Sequence, residues 1–160
     1  MIRYLHLSDL HLTAMENKGP VEAFNQDVVT RSMVEMIGES AFDADFVIIT
    51  GDIARTGKPA EYAVCEVFCA RLLAALGLEQ DRLFLVPGNH DVDRSAVKNR
   101  HIKRLYGFDD QDEISEILTD PDDFPILMRK FSAFNEFSEK AMGRRVFDDA
   151  AYWHADRLTL

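Results

Sequence analysis

Three apolar runs in this sequence stop at residues able to bind metal ions or move protons. Leu5-His6-Leu7-Ser8 leads into Asp9-Leu10-His11, Val47-Ile48-Ile49-Thr50 into Gly51-Asp52, and Leu85-Val86-Pro87-Gly88 into Asn89-His90-Asp91. Carboxylate, imidazole and amide groups suit hard and borderline cations. Asp9 and His11 are two apart at a strand end, so period-2 geometry puts both side chains on one side, where they can grip one ion. Asp52 follows a glycine, whose missing side chain lets the backbone turn sharply and leaves the carboxylate projecting. Asn89 offers an amide oxygen and His90 a ring nitrogen. A carboxylate can bridge two cations where an amide or imidazole serves one, which makes Asp52 the bridging candidate. Two cations about 3.5–4 Å apart activate water and clamp a phosphoryl group in line.

Each motif alone is weak, since Asp-x-His arises by chance and Gly-Asp is a common turn. Their order after three successive strand patterns carries the inference. The elements that must position them are legible. Ile2–Leu7 alternates and carries bulky side chains, as a strand does. From Val21 to Ile37 the apolar positions approximate helical spacing, with Gly38 as the terminator. Asp45–Thr50 is a nearly continuous apolar run, as in a strand covered on both faces. Pro59 suits the first turn of a second helix, whose stripe includes Tyr62, Cys65, Cys69, Leu72 and Leu76 before Gly77. Leu83–Val86 is the third strand. Such βαβ units imply a largely parallel sheet with right-handed crossovers, and all three motifs then meet at one edge.

The second half changes character. Ser95–Tyr106 reads as a basic helix, Asp109–Glu116 is acidic, Asp120-Pro121-Asp122-Asp123 is a turn, and Pro125–Met142 is helical with Phe131, Phe134 and Phe137 near one face. A helical insertion or cap over residues 95–145 is expected, within one domain spanning 1–160. Arg157–Leu160 resembles the start of a strand.

Bulk properties narrow the field. With 47% hydrophobic and 29% charged residues, wholesale disorder is not expected. A net charge of −10 argues against a broad duplex-gripping surface, though not against a nucleotide or short single strand held by metals. No apolar run approaches the roughly 18 residues that cross a bilayer, and the N-terminus lacks a signal peptide's layout. Cys65 and Cys69, four apart on a helix, read as buried filler, which makes a reducing cytoplasm the expected location.

In order, Asp9-Leu10-His11, Gly51-Asp52 and Gly88-Asn89-His90-Asp91 resemble the first three motifs of the calcineurin-like metallophosphoesterases. The likeness spans roughly residues 1–95. It implies an α/β fold, the αββα sandwich of that superfamily, here incomplete at the C-terminus and carrying a helical insertion after the third strand. It also implies two metal ions (Mn, Fe, Zn or similar). Carried over by position, Asp9 and His11 bind the first metal, Asp52 bridges, and Asn89 binds the second and touches the phosphate. His90 is then the general acid for the leaving oxygen or a transition-state donor, with Asp91 orienting its ring.

The family's later histidine and Gly-His-x-His motif have no counterpart here, which suggests the amino-terminal part of a longer protein. The only later histidines, His101 and His154, lack a ligand's setting, and His6 reads as packed inside the first strand. Two functions follow. One is a metal-dependent phosphoesterase that hydrolyses phosphomonoesters or phosphodiesters with a hydroxide activated by two metals, with nucleotides, cyclic nucleotides and nucleic acids among the substrates open to it and no membrane partner. The other is a non-catalytic regulatory or scaffolding module that kept the fold and self-associates through an open sheet edge. The basic run Arg94–Arg104 could steer a phosphate or be a solvated helix face.

Overall fold

The computed structural model describes residues 1–14, 19–40, 42–98 and 119–147. Most of the expected basic helix, the acidic stretch, His101, His154 and the expected strand at 157–160 lie outside these residues.

Three short strands form a parallel sheet in the order β1 (Tyr4–Leu7), β2 (Phe46–Thr50), β3 (Leu83–Val86). Leu7 pairs with Ile49, and Thr50 with Val86, so the three carboxyl ends align. Between the strands run α1 (Pro20–Glu39) and α2 (Pro59–Leu76). Sequential strand order with right-handed crossovers places both helices on the same face, and α1 packs on α2.

Burial follows from that arrangement. Val47, Ile49, Leu83 and Leu85 point toward the helices and are buried, whereas Ile48, Phe84 and Val86 on the other face are only partly so. The sheet is therefore covered on one face among the described residues, not on both as the apolar run of β2 suggested. Edge packing of Phe46 on Phe84, stacking of Tyr4 on Phe46, and Arg144 over the Phe84 ring at 5.0 Å partly shield the second face. This is an incomplete calcineurin-like αββα sandwich whose sheet is not closed.

Helix boundaries follow local chemistry. Pro20 and Pro59 open α1 and α2, where a missing N–H costs nothing. At the end of α2, Gly77 adopts φ +66° and donates to the carbonyls of Ala74 and Leu73, the left-handed cap expected from sequence. Gly38 does not end α1. The helix runs on to Glu39, and Gly38 instead lies against Ala75 of α2.

After β3, the first residues of the expected basic helix, 95–98, form a turn. The helical insertion resumes with α3 (Asp123–Met128), where the Asp120 carboxylate accepts the Asp122 and Asp123 N–H groups, and continues into α4 (Ser132–Met142). A 3₁₀ turn over Arg129–Phe131 breaks what the sequence suggested was one helix.

Helix α4 packs on α2 and β3. Phe134 and Phe137 are fully buried against Tyr62 of α2, with the Phe137 ring stacked on Tyr62 at 5.0 Å. Burying each such side chain stabilises the fold by roughly 2–3 kcal/mol. Cys65 and Cys69 are free and buried in the same core, and burial pushes both thiols up, Cys69 to about 12.

Candidate metal centre

Beyond each strand end the chain leaves extended geometry. Asp9, His11 and Asp52 all sit at positive φ (56°, 46° and 52°), a region costly for residues with a Cβ. Neighbouring loops hold them there. The His11 N–H donates to the Asp52 carbonyl at 2.8 Å, Leu12 N–H to Ile53 O at 2.9 Å, and Arg55 N–H back to Leu12 O at 3.1 Å. The two loops after β1 and β2 thus continue the sheet's pairing past its edge. The expectation that Asp9 and His11 project together because the strand is extended is corrected here: β1 ends at Leu7, and left-handed turns aim both residues.

The loop after β3 closes on the other two. His90 N–H donates to Asp52 Oδ1 at 2.9 Å. Gly88 lies so close that a Cβ there would collide with the Asp52 carboxylate and amide and come within 2.9 Å of Gly51 Cα, so only glycine lets the third loop approach. Ligand atoms of His11, Asp52 and His90 then lie within 4.8 Å of one another, with the two imidazole rings edge-on at 4.8 Å. The Asp9 carboxylate is not one of this close set, although its backbone N–H reaches Gly51 O at 3.2 Å. Asn89 is exposed and, with His90, lines a neighbouring cavity.

His90 Nδ1 is 2.7 Å from the Arg55 carbonyl oxygen. A carbonyl can only accept, so Nδ1 carries the proton and Nε2 is left as the chemically available nitrogen. Asp91, assigned from resemblance to orient this ring, has other partners. Its carboxylate, fully buried, accepts N–H bonds from Ile53 (3.1 Å), Ala54 (2.8 Å) and Gly88 (2.8 Å), and the Tyr62 hydroxyl at 3.1 Å. After the tight turn at Gly88, adjacent side chains point apart: His90 faces the cluster while Asp91 faces the core and ties the second loop to the third. Burial and the adjoining Asp91 charge push the Tyr62 phenol far above its ordinary range.

Three participants escaped the sequence reading. Arg55 contributes its carbonyl, and Tyr62 was read only as part of an apolar stripe. Glu61, also buried, accepts from Thr56 N–H at 2.8 Å, Thr56 Oγ1 at 2.9 Å and Lys58 N–H at 3.3 Å, which braces the loop after Asp52. A glutamate three residues after a helix's capping position is a known signal, and Lys58-Pro59-Ala60-Glu61 carries it.

The order of these three loops is matched by a model of the family described as calcineurin-like phosphoesterase, over residues 2–148. The chain belongs to this family. It is 28% identical over 147 residues, 89% of its length, to an uncharacterized metallophosphoesterase-like protein, YydB, of Bacillus subtilis (strain 168). Over 96 residues, 59% of the chain, it is 34% identical to a cAMP/cGMP dual specificity phosphodiesterase, MT0825, of Mycobacterium tuberculosis (strain CDC 1551 / Oshkosh). Over 90 residues, 54% of the chain, it is 36% identical to the glycerophosphodiester phosphodiesterase GpdQ of Enterobacter lignolyticus (strain SCF1). Each match covers 28% of the relative's own length, so the chain spans little more than a quarter of these proteins.

In this member of the family the donor set fits a metal ion. Two imidazoles and a carboxylate converge, half-buried, and two of the three, His11 and Asp52, stand on backbone held in a strained conformation, which is where strain serves a site. Among the described residues no helix is long and apolar enough to cross a membrane.

Proposed function

We propose that the protein hydrolyses phosphoesters, phosphodiesters foremost, at a two-cation centre. The carrying observation is the convergence of His11, Asp52 and His90 ligand atoms within 4.8 Å at the carboxyl edge of the sheet. Cations bound there would lower the pKa of water and offset charge on the phosphoryl oxygens. His11, together with Asp9, would hold one ion; Asp52, the only carboxylate of the close set among the described residues, would serve both; and the Asn89 amide would serve the second ion and the phosphate. His90, its Nδ1 proton engaged by Arg55 O, presents Nε2 to the reaction, and in its doubly protonated form it would give the Nε2 proton to the leaving oxygen while keeping the Nδ1 bond. Asp91 acts through backbone, fixing the loops that carry Asp52 and His90. The cAMP/cGMP and glycerophosphodiester phosphodiesterases among the relatives support diesters as substrates.

The test is hydrolysis of bis-p-nitrophenyl phosphate by the intact protein after chelation and re-addition of Mn²⁺, with elemental analysis of the loaded protein. Release that needs Mn²⁺, at two ions per chain, is the expected result. One ion per chain with activity retained would remove the two-cation part. No release and no bound metal would overturn the enzyme reading and leave a non-catalytic module.

A further inference from the structure

Beside the cluster, a cavity of about 320 Å³ opens between the Arg55–Lys58 loop and the Asn89–Ser95 loop. It shares His90 with the candidate metal centre, and Arg55 and Arg94 stand in its wall. Among the described residues three cations line it, Arg55, Lys58 and Arg94, against a single carboxylate, Asp93. Lys58 is committed, bonded to Asp93 at 2.6 Å and to the Ser95 hydroxyl. Arg55 and Arg94 are exposed and have no ion-pair partner among the described residues. In a chain of net charge −10, two unpaired guanidinium groups in one cavity are a local reversal of the protein's field, and their planar forks suit phosphate oxygens.

We propose that this cavity is a subsite for a second phosphate group on the substrate, gripped by Arg55 and Arg94 while the scissile ester lies at the His11–Asp52–His90 cluster. The inference rests on the phosphoesterase reading for its scissile group, but the anion grip is a property of the cavity itself. Substrates of the class it favours carry two phosphates in near succession, as an end-phosphorylated nucleotide chain or a sugar bisphosphate does.

The test compares substrates that differ by one phosphate. Thymidylyl-thymidine is set against its 5′-phosphorylated and 3′-phosphorylated forms, and glucose 6-phosphate against glucose 1,6-bisphosphate. KM is measured on the Mn²⁺-loaded intact protein, and binding is measured by calorimetry on the metal-free protein. The added phosphate is expected to tighten KM and binding about tenfold in at least one pair. In Arg55→Ala/Arg94→Ala that ratio falls toward one, with unchanged melting confirming the fold, and the responding pair tells a nucleotide source from a sugar. Truncating Arg55 keeps the carbonyl that holds His90. Arginine-dependent binding without any hydrolysis of bis-p-nitrophenyl phosphate would uphold the subsite and remove the phosphoesterase reading. Equal ratios in wild type and variant, in both pairs, would overturn the subsite even with hydrolysis intact.

Discussion

The loops bearing His11, Asp52 and His90 keep these side chains half-open, and two of the three residues stand in left-handed backbone. One residue beyond His90, Asp91 is fully buried, with both oxygens engaged by three backbone N–H groups and a tyrosine hydroxyl. Glu61 repeats the second pattern beneath the neighbouring loop. The upper layer leaves coordination sites available, whereas in the lower Asp91 has both oxygens engaged and Glu61 takes three bonds on Oε2. Groups that receive a ligand have few atoms left for holding backbone (Asp52 Oδ1 and His90 Nδ1 make one such bond each), so the layer underneath does most of the holding. That lower layer is in turn backed by the helical insertion, since α4 supplies the phenylalanines packed on Tyr62.

Substitutions in the two layers should therefore separate activity from stability. Asp52→Asn keeps the oxygen that accepts the His90 N–H and removes the charge. We expect kcat/KM for bis-p-nitrophenyl phosphate to fall about a thousandfold, with the urea midpoint unchanged. Asp91→Ala strands three N–H groups in the interior, leaves the Tyr62 hydroxyl only the residue-91 carbonyl at 3.1 Å, and should cost about 3 kcal/mol or more. Asp91→Asn should be little better, because its NH₂ would face N–H donors at one of the two oxygen positions. If Asp91→Ala unfolds at the wild-type urea concentration, or Asp52→Asn is the destabilised one, the two-layer distinction is wrong.

Tyr62→Phe probes the lower layer more gently by deleting the hydroxyl bond to Asp91, at a cost of about 1.5–3 kcal/mol. It also has a pH signature. Burial first, then the Asp91 charge, raises the phenol's pKa far above its ordinary 10.0. The unfolded chain then gives up this proton near pH 10 while the folded protein keeps it. The resulting stability is present below pH 10 and is lost as pH rises. Cys65 and Cys69, raised from an ordinary 9.0 mainly by burial, act in the same sense. Urea unfolding at successive pH values from 8 to 11 should show a falling midpoint, with a shallower fall in Tyr62→Phe. Equal slopes would mean that the phenol is not held neutral by the core.

The same division explains what the sequence could and could not reveal. Leu83–Val86 was legible to the residue because an apolar run sits between strong breakers, and Pro59 and Gly77 marked α2 by their backbone constraints. The donors were legible as residue types after strand ends. Their aim was not: positive φ at Asp9 and His11 goes with pairing to the Gly51–Arg55 loop, a contact some forty residues away in sequence. Asp91 was given its neighbour's ring by the family resemblance, and sequence adjacency could not correct that, since it says nothing about which way a side chain leaves a tight turn. Tyr62 satisfied the apolar stripe so well that its hydroxyl went unread, and one-sided covering of β2 depended on the sequential strand order β1-β2-β3, which composition does not encode.

The smallest effect lies where the two layers meet, at Lys58 and Asp93. Desolvation works to raise the Asp93 carboxyl, but hydrogen bonds from Lys58 and Ser95 outweigh it and hold the group below its ordinary 3.8. A lowered carboxyl stabilises the folded state above the unfolded value, and that contribution disappears as pH falls through the folded one. The pair is partly solvated, with Lys58 40% exposed, so its worth is within about 1 kcal/mol. Lys58→Met should thus be slightly less stable than wild type at pH 7, and the two should converge below pH 3.8 as Asp93 takes up its proton. A gap that persists at pH 2.5 would trace the loss to packing of the lysine stem at the start of α2, and the ion pair would then have no part in joining the cavity wall to the braced loop beneath it.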